Sequence, residues 1–189
     1  MKYGVEDMKE KLFLTPDYIT AKEIKNIRNQ FGFTQKEFAE FLHCSKSTVE
    51  RWEMSKEPVT GLICLLISML KKYPEYVDQI KIPPKTTPVR LWYMYEQTAC
   101  TLIDVHEVKR EVHIKNFTDN VMFRAFGTEE NPDFQMYEEF LESRCFPESR
   151  DKMKLILRDL DLPFYDPFLI IEKTEGRMAE DDFWIKIER

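Results

Sequence analysis

Hydrophobic side chains in the first 80 residues recur three and four positions apart, the spacing of helices with one buried face. Two capping boxes, Thr20 with Glu23 and Thr34 with Glu37, predict where the first two helices begin. Gly32 is predicted to end the first helix. The apolar positions predicted to face inward from these two helices are Ile24, Ile27, Phe31, Phe38, Ala39, Phe41 and Leu42.

A third short helix is predicted directly after His43-Cys44. Ser45 can accept hydrogen bonds from its free first-turn amides, and Val49 and Trp52, three apart, turn one face inward. The opposite face carries Lys46, Ser47, Thr48 and Arg51. These are donor-rich side chains near a helix N-terminus, on a face left out of the core. A helix inserted in a DNA major groove needs such a face.

A leucine-rich helix is predicted to begin at Pro58 and Thr60 and to be apolar on two faces. One face is predicted to close the core of the domain and holds Leu62, Leu65, Leu66 and Met69. Ile63 and Ile67 fall on a second face, which must cover a dimer partner or the second half of the chain. A last short helix is predicted from Pro74 to Ile80. Residues 1–16 are predicted to be either an arm packed on this domain or a tail ordered in a dimer.

The segment from Lys81 to Pro88 holds three prolines, which remove amide donors and restrict the residues before them. It is predicted to be a stiff linker rather than a helix. The chain is therefore predicted to consist of a helical domain over residues 1–80, a proline-rich linker over 81–88 and an acidic domain over 89–189.

The pattern in the second half predicts a small α+β domain. Three or four antiparallel strands are predicted within residues 89–126, the last over Val121 to Phe126, and a final strand alternates Phe183, Ile185 and Ile187. Helices are predicted to begin at Asp133, at Pro147 and at Asp166, the last of them ending at Gly176. The apolar positions predicted to face inward are Phe134, Tyr137, Phe140, Leu141, Met153, Ile156, Leu157 and Leu160.

Charge is distributed unevenly along the chain, which has a formal net charge of −6. Residues 1–87 hold 14 Lys or Arg against 12 Asp or Glu, whereas residues 88–189 hold 14 against 22. Phosphate-binding charge is therefore expected on one surface of the first half, with the acidic half directed away from DNA. No apolar run is long enough for a membrane span and no signal peptide is apparent, so a cytoplasmic protein is expected.

Catalytic chemistry is not evident in the sequence, and we expect neither an enzyme, a cofactor nor a metal site. The four cysteines never form Cys-x-x-Cys, and His106-Glu107-Val108-Lys109-Arg110 lacks the second histidine of a zinc-protease motif, which favours a hairpin turn. The cysteines are expected to be reduced, mostly buried thiols, although Arg144 and Arg150 on either side of Cys145 are able to lower its pKa. Glu180-Asp181-Asp182 would hold a cation, meet a basic partner or remain solvated. The loops 144–147 and 176–180 have a composition suited to recognition or to packing within their own domain.

Residues 34–53, TQKEFAEFLHCSKSTVERWE, resemble the helix-turn-helix of the XRE or Cro/cI class of bacterial and phage repressors. The resemblance includes the Thr-Gln opening, the Ser-x-x-x-Val-x-x-Trp-Glu pattern and a leucine-rich helix after a short loop, within residues 18–80. The stretch Lys72-Tyr73-Pro74-Glu75-Tyr76-Val77 is most similar to the DNA-binding domain of MqsA-type and HigA-type antitoxins. The fold that this resemblance implies is an all-α, lambda-repressor-like domain ahead of the small α+β domain.

The resemblance also implies roles for individual residues. Base reading is implied for Lys46, Ser47 and Arg51, and backbone contact for Gln35 and Thr48. An ion pair is implied between Arg28 of the first helix and Glu53 of the third. Lys56, in the following loop, is expected to add a phosphate contact. The predicted DNA-binding residues are Gln35, Ser45, Lys46, Ser47, Thr48, Arg51, Lys56 and Arg28.

The function expected from this sequence is a homodimeric repressor that binds double-stranded operator DNA. Because this class of helix-turn-helix often serves as antitoxin, the second domain is expected to dimerise or to bind a partner, such as a toxin. One alternative is a regulator whose second domain senses a small ligand. Another is an enzyme fused to a helix-turn-helix.

Overall fold

The structure is a computed structural model that describes residues 12–189. The chain divides into two compact units, Met1–Lys81 and Ile82–Arg189, each built around its own hydrophobic core. The domain limits and the linker stay a prediction, and each unit is described by itself. Within the described part of the chain, no helix combines the length and the apolar composition that crossing a bilayer requires.

The first unit is all-helical, as predicted. Its helices are α1 (Ala21–Gln30), α2 (Gln35–Phe41), α3 (Lys46–Met54), α4 (Leu62–Lys72) and α5 (Glu75–Ile80). Both predicted capping boxes are formed, because Thr20 and Thr34 each accept from the amide of a glutamate that bonds back to their own amide. Most of the predicted arm lies outside the described residues; Leu12, Phe13 and Leu14, at its described end, are exposed.

A β-bridge and a side-chain hydrogen bond connect segments of this unit that are distant in the sequence. Ile19 and Val59 form an isolated antiparallel bridge that joins the segments before α1 and after α3. Lys71 of α4 donates to Glu23 of α1 at 2.8 Å. Hydrogen bonds from Lys71 and from the Thr20 amide lower the pKa of Glu23 to about 2. The N-terminal end of α1 is therefore tied to α4 as well as to its own cap.

The prediction for α4 was wrong in both its start and its inward face. The helix begins at Leu62, after Gly61, which has a φ of 98°. Ile63 and Ile67 are buried, together with Cys64 and Leu70, whereas Leu62, Leu65 and Met69 are 79%, 41% and 50% exposed. Two apolar stripes have the same spacing here, so periodicity alone could not choose between them. The stripe that is buried packs in the core of the first unit, where the Cys64 thiol also donates to the Val59 carbonyl at 3.4 Å.

The second unit is an α+β domain, as predicted. Its strands are β1 (Val89–Tyr95), β2 (Thr98–His106), β3 (Glu111–Asn116) and β4 (Phe183–Glu188), in the antiparallel order β3-β2-β1-β4. Its helices are α6 (Phe134–Ser143), α7 (Met153–Asp159) and α8 (Pro167–Thr174). Asp133 and Asp166 cap α6 and α8, and the predicted hairpin turn at 106–110 joins β2 to β3 through one 3₁₀ turn.

Two elements of the second unit differ from the prediction. The strand predicted over Val121 to Phe126 is instead a 3₁₀ turn, Val121–Phe123, in which the Asn120 side chain accepts from the Met122 amide. This cap favours a turn over a strand. The helix predicted from Pro147 begins only at Met153, after Lys152 adopts a left-handed conformation with a φ of 60°. A left-handed residue interrupts helical geometry, so the helix cannot extend back to Pro147.

An ion pair lies buried in the sheet of the second unit. Arg90 and Asp104 face each other directly across β1 and β2, and they are 4% and 5% exposed. The guanidinium makes two bonds of 2.7 Å to the carboxylate and donates to the carbonyl of Pro83 at 3.0 Å. Lys85 donates to the carbonyl of Glu188 in β4. The proline-rich segment is thus held on the second unit by hydrogen bonds.

Candidate nucleic-acid interface

Helices α2 and α3 are joined by a tight turn over residues 42–45. The turn is possible because His43 adopts a left-handed conformation with a φ of 51°, while the Cys44 amide donates to the carbonyl of Ala39. Ser45 then caps α3, its hydroxyl accepting from the amide of Thr48 at 3.2 Å. Two short helices with a fixed turn are the framework of a helix-turn-helix.

The inner face of α3 is anchored as the sequence predicts. Val49 is completely buried in the core of the first unit, and Trp52 packs against that core while partly exposed. The helix therefore cannot rotate about its axis without losing apolar burial, and its opposite face is fixed toward the outside.

Glu53, near the end of α3, connects three helices. It accepts from Arg28 of α1 at 2.7 and 3.1 Å and from the side-chain amide of Gln35 of α2 at 2.9 Å. Burial alone would raise the pKa of Glu53, but the hydrogen bonds from Arg28 and Gln35 outweigh it and lower that pKa. The predicted Arg28–Glu53 pair is confirmed. The bond from Gln35 was not foreseen.

Arg28 and Gln35 are largely occupied by these bonds. The Arg28 side chain is 12% exposed, and its remaining terminal nitrogen donates to the carbonyl of Phe33 at 2.8 Å. The DNA contacts predicted for both residues stay predictions. Their observed bonds set the position of α3 relative to α1 and α2.

The outer face of α3 presents hydrogen-bond donors to the surface. Lys46, Ser47 and Arg51 are exposed, and Lys46 pairs with Glu50 one turn later at 2.9 Å. Arg51 forms no hydrogen bond or ion pair with any residue between 12 and 189, so its five donors are available. Lys56, exposed in the loop after α3, is likewise unpaired within the described chain. The geometry brings the predicted base-reading residues together on one exposed helix face.

Ser45 and Thr48 are more constrained. The Ser45 hydroxyl lies 2.8 Å from the hydroxyls of both Ser47 and Thr48. This hydroxyl cluster stabilises the first turn of α3, and the DNA contacts predicted for its members stay predictions.

Two charged residues of the first unit were not singled out in the sequence. Glu50 lies on α3 between Lys46 and Arg51, and a glutamate there can accept a hydrogen bond from a cytosine amino group. Lys25, one turn before Arg28, is exposed and close enough to lower the pKa of Glu53. The helical spacing of Lys25 and Arg28 was the available signal for the lysine.

The first unit also carries an exposed apolar surface, here called the α4–α5 face. It consists of Leu62, Leu65, Met69, Tyr73, Tyr76 and Ile80, each at least two-fifths exposed. Exposed apolar side chains that recur at helical spacing along α4 and the following helix are typical of a protein–protein contact. This face replaces the one that the sequence predicted to be left uncovered.

In the second unit, the two loops singled out by composition pack on each other. Arg144 is buried and donates twice to the carbonyl of Gly176, twice to Asp181 and once to the carbonyl of Phe183. The bonds from Arg144 are the main cause of the lowered pKa of Asp181. Gly176 has a φ of 59°, and a side chain there would lie 3.3 Å from Ile185 and 3.4 Å from Arg144. This arginine serves the packing of the loops.

Cys145 is a free, buried thiol, and its neighbouring arginines do not bring its pKa below the ordinary value. Burial, with a smaller contribution from Asp166, raises the pKa of its thiol to about 12, and the thiol donates to the carbonyl of Pro167. The positive charge of Arg144 lowers the pKa of this thiol, but only slightly, because Arg144 is paired with Asp181. Among the residues from 12 to 189, no cluster of three or more potential ligands could hold a metal ion.

A pocket of about 630 Å³ opens on the second unit, here called the acidic pocket. It lies between the β2–β3 connection, α6 and the start of α8. Five of its lining residues are acidic, namely Glu107, Glu138, Glu139, Glu142 and Asp166, and one, Arg110, is basic.

Comparisons with known proteins agree with the geometry of the first unit. A family model described as helix-turn-helix matches residues 24–71. The chain is also 34% identical over 78 residues to the antitoxin HigA-2 of Vibrio cholerae serotype O1, an alignment that covers 41% of this chain and 69% of that protein.

Proposed function

The chain belongs to the XRE-type helix-turn-helix family of DNA-binding regulators, and from this premise we propose that it is a dimeric repressor. In this proposal the first unit recognises an operator sequence through α3, and the second unit binds a partner protein. The similarity to an antitoxin supports a toxin as that partner.

One observation carries the DNA-binding part of the proposal. The face of α3 that holds Lys46, Ser47 and Arg51 is exposed, while Val49 and the bonds of Glu53 fix the helix from behind. The guanidinium of Arg51 has no partner among residues 12–189 and can donate two hydrogen bonds to one guanine. Such a bidentate contact contributes about 1–3 kcal/mol of discrimination against other bases.

The test is operator binding by the purified full chain. Footprinting on its own upstream region should protect two half-sites roughly 34 Å apart, the spacing of one helical turn. Fluorescence anisotropy should then show that Arg51→Ala weakens binding to this site by roughly 10-fold or more, with loss of preference at one base position. Lys22→Ala, which removes an exposed positive charge of α1, is the control. Binding of all duplexes with equal affinity at low salt would contradict the proposal.

Dimerisation through the α4–α5 face is the second part of the proposal. A single first unit offers few phosphate contacts, and the two first units of a symmetric dimer double their number. The exposed Leu65 and Met69 lie one turn apart on this face, so Leu65→Glu with Met69→Glu should convert a dimer to a monomer in size-exclusion chromatography with light scattering. Gln79→Glu, an added charge on the exposed surface of α5, is the matched control. A wild-type chain that is monomeric at micromolar concentration would overturn this part.

The partner-binding role of the second unit is tested by co-purification. Expressed together with the product of a neighbouring gene, a tagged full chain should retain that protein, and residues 1–81 alone should not. If the shorter chain retains it equally, the partner binds the first unit and the assignment to the second unit is wrong.

A second candidate function is ligand sensing by the second unit, which the acidic pocket favours. In that case a small molecule changes operator affinity when it binds the full chain. If the footprint stays unchanged when each of a series of ligands binds, ligand sensing is excluded and the protein partner is favoured.

A further inference from the structure

The acidic pocket carries more negative charge than its own residues neutralise. Arg110 is the one basic residue among the lining side chains, and it pairs with Glu138 at 3.1 Å. Asp166 is used in capping α8, where it accepts from the Leu169 amide. The carboxylates of Glu107 and Glu142 have no hydrogen-bond or ion-pair partner within residues 12–189. The pocket is thus complementary to a positively charged group.

A buried hydroxyl in the same pocket also has no hydrogen-bond partner among residues 12–189. Tyr137 of α6 lines the pocket and is 2% exposed, and its hydroxyl forms no hydrogen bond with any described residue. Burial, and then the charges of Glu107, Asp166 and Glu138, raise the pKa of this phenol, so the hydroxyl is neutral and lies near these carboxylates. A buried polar group without a partner is unfavourable. A donor that reaches this hydroxyl when Arg110 is displaced would supply the missing bond.

The acidic pocket already contains one guanidinium group, that of Arg110. The guanidinium carbon of Arg110 lies 4.2 Å from the centroid of the Phe134 ring while its nitrogen pairs with Glu138. Phe134 in turn packs on Tyr137, with 5.4 Å between the ring centroids. A planar guanidinium that stacks on an aromatic ring and donates to a carboxylate uses this site better than a compact ammonium.

We propose that the acidic pocket binds a guanidinium group, which displaces Arg110 from Phe134 and Glu138 and donates to Tyr137, Glu107 and Glu142. Arg110 is exposed and acts as an internal competitor for the site. The guanidinium is either the arginine side chain of a partner protein or a free small molecule. The inference rests on the proposed role of the second unit in binding a partner or a ligand, and it names the chemistry of that contact.

The proposal is tested by titrating the ¹⁵N-labelled full chain with three probes. These are the blocked peptide Gly-Arg-Gly, the blocked peptide Gly-Lys-Gly and free L-arginine, each at millimolar concentration. Amide signals of residues 107–110 and 134–142 should shift with the arginine probes and shift less with the lysine peptide. A response to the peptide but not to the free amino acid identifies a protein side chain as the source. A response to both identifies a small ligand as sufficient.

Variants separate this site from general attraction to an acidic surface. Glu107→Gln with Glu142→Gln should weaken binding of the arginine peptide about 10-fold, since hydrogen bonds between charged groups are among the strongest. Glu148→Gln with Asp182→Asn, which removes two exposed carboxylates outside the pocket, should change it little. Arg110→Ala should strengthen binding, because it removes the competitor.

Tyr137→Phe gives an independent readout. Removing an unpartnered buried hydroxyl should raise the melting temperature of the free chain while weakening the binding of the arginine peptide. Tyr165→Phe is the matched control, because its hydroxyl donates to the carbonyl of Phe146 at 3.0 Å. That variant should melt at a lower temperature and bind the peptide as the wild type does.

Three results would overturn the inference: no shift at the pocket with either arginine probe, equal binding of the lysine peptide, or equal binding by the Glu107/Glu142 variant and its control. Its failure is distinguishable from failure of the proposed function. A chain that binds its operator and retains a partner but ignores both arginine probes fails this inference alone. A chain that binds arginine but no duplex DNA fails the proposed function alone.

Discussion

Arg51 of the first unit is used in the opposite way to Arg90 and Arg144 of the second unit. Arg51 of the first unit is exposed on α3 and has no partner among residues 12–189, whereas Arg90 and Arg144 of the second unit are buried. Carboxylates and backbone carbonyls of the second unit accept hydrogen bonds from both buried guanidinium groups. The difference shows that an arginine keeps its donors available for another molecule only where the groups around it do not accept from them.

Arg28 is intermediate between these two cases. It is mostly buried, but its partner Glu53 belongs to the helix that presents Arg51. Its contribution to DNA binding is therefore expected to come through the position of α3. This comparison can be tested by removing each kind of arginine contact in turn.

The largest effect is expected from Arg90→Met. It leaves the carboxylate of Asp104 buried without its partner, and breaking a buried pair in this way costs about 3–5 kcal/mol of the free energy of unfolding. Urea unfolding of the second unit, followed by the NMR signals of residues 89–106, measures the loss. Arg51→Ala is the matched arginine deletion and should leave stability unchanged within about 0.5 kcal/mol. Equal losses in the two variants would remove the distinction between the units.

A smaller loss is expected from Glu53→Ala. It deprives Arg28 and Gln35 of their shared acceptor, and hydrogen bonds to charged groups contribute about 1.5–3 kcal/mol. The first unit should unfold at lower urea concentration, and operator affinity should fall because α3 is no longer held against α1 and α2. Glu40→Ala, at an exposed position of α2, is the control. An Arg28→Ala variant with unchanged stability and unchanged DNA affinity would also contradict this account.

The pH dependence of the first unit should show the same bond. Because the pKa of Glu53 is lower in the folded state than in the unfolded chain, its stabilising contribution is present at neutral pH and is lost as the pH falls through the folded value. Wild type should therefore lose more stability between pH 7 and pH 3 than Glu53→Gln does, as measured by urea unfolding at each pH. Parallel pH profiles would mean that the Arg28–Glu53 pair contributes nothing to stability.

The smallest effect is expected from Lys56→Ala. This exposed lysine in the loop after α3 has no partner among residues 12–189 and is predicted to contact phosphate, so its removal should weaken binding to all duplexes alike. The slope of log affinity against log salt should decrease by about 0.9. An altered preference among operator sequences, with no change in this slope, would instead place Lys56 at a base.

The features that could be predicted from the sequence are those that depend on near neighbours. Thr20, Thr34, Asp133 and Asp166 cap helices by bonding amides three residues away, so their local sequence is sufficient. The Arg28–Glu53 pair spans 25 residues and was predicted only through the resemblance to a family. The exposed face of α3 was predicted because Val49 and Trp52 define its buried side.

The features that were missed depend on contacts between distant segments. Which apolar stripe of α4 is buried is decided by its packing on the rest of the core, and both stripes have the same spacing. The roles of Arg90 and Arg144 depend on partners 14 and up to 39 residues away. The acidic pocket gathers residues from three separate elements, and no local pattern in the sequence marks it.

Gly176 is expected to be one of the least replaceable positions in the second unit. Its left-handed backbone conformation favours glycine over residues with a side chain. A methyl group there would also press on Ile185 and on Arg144. The Gly176 carbonyl itself accepts two hydrogen bonds from the Arg144 guanidinium. An alanine there would strain the end of α8, the loop arginine and the last strand together. In a saturation-mutagenesis library selected for intact protein, this codon should tolerate almost no change.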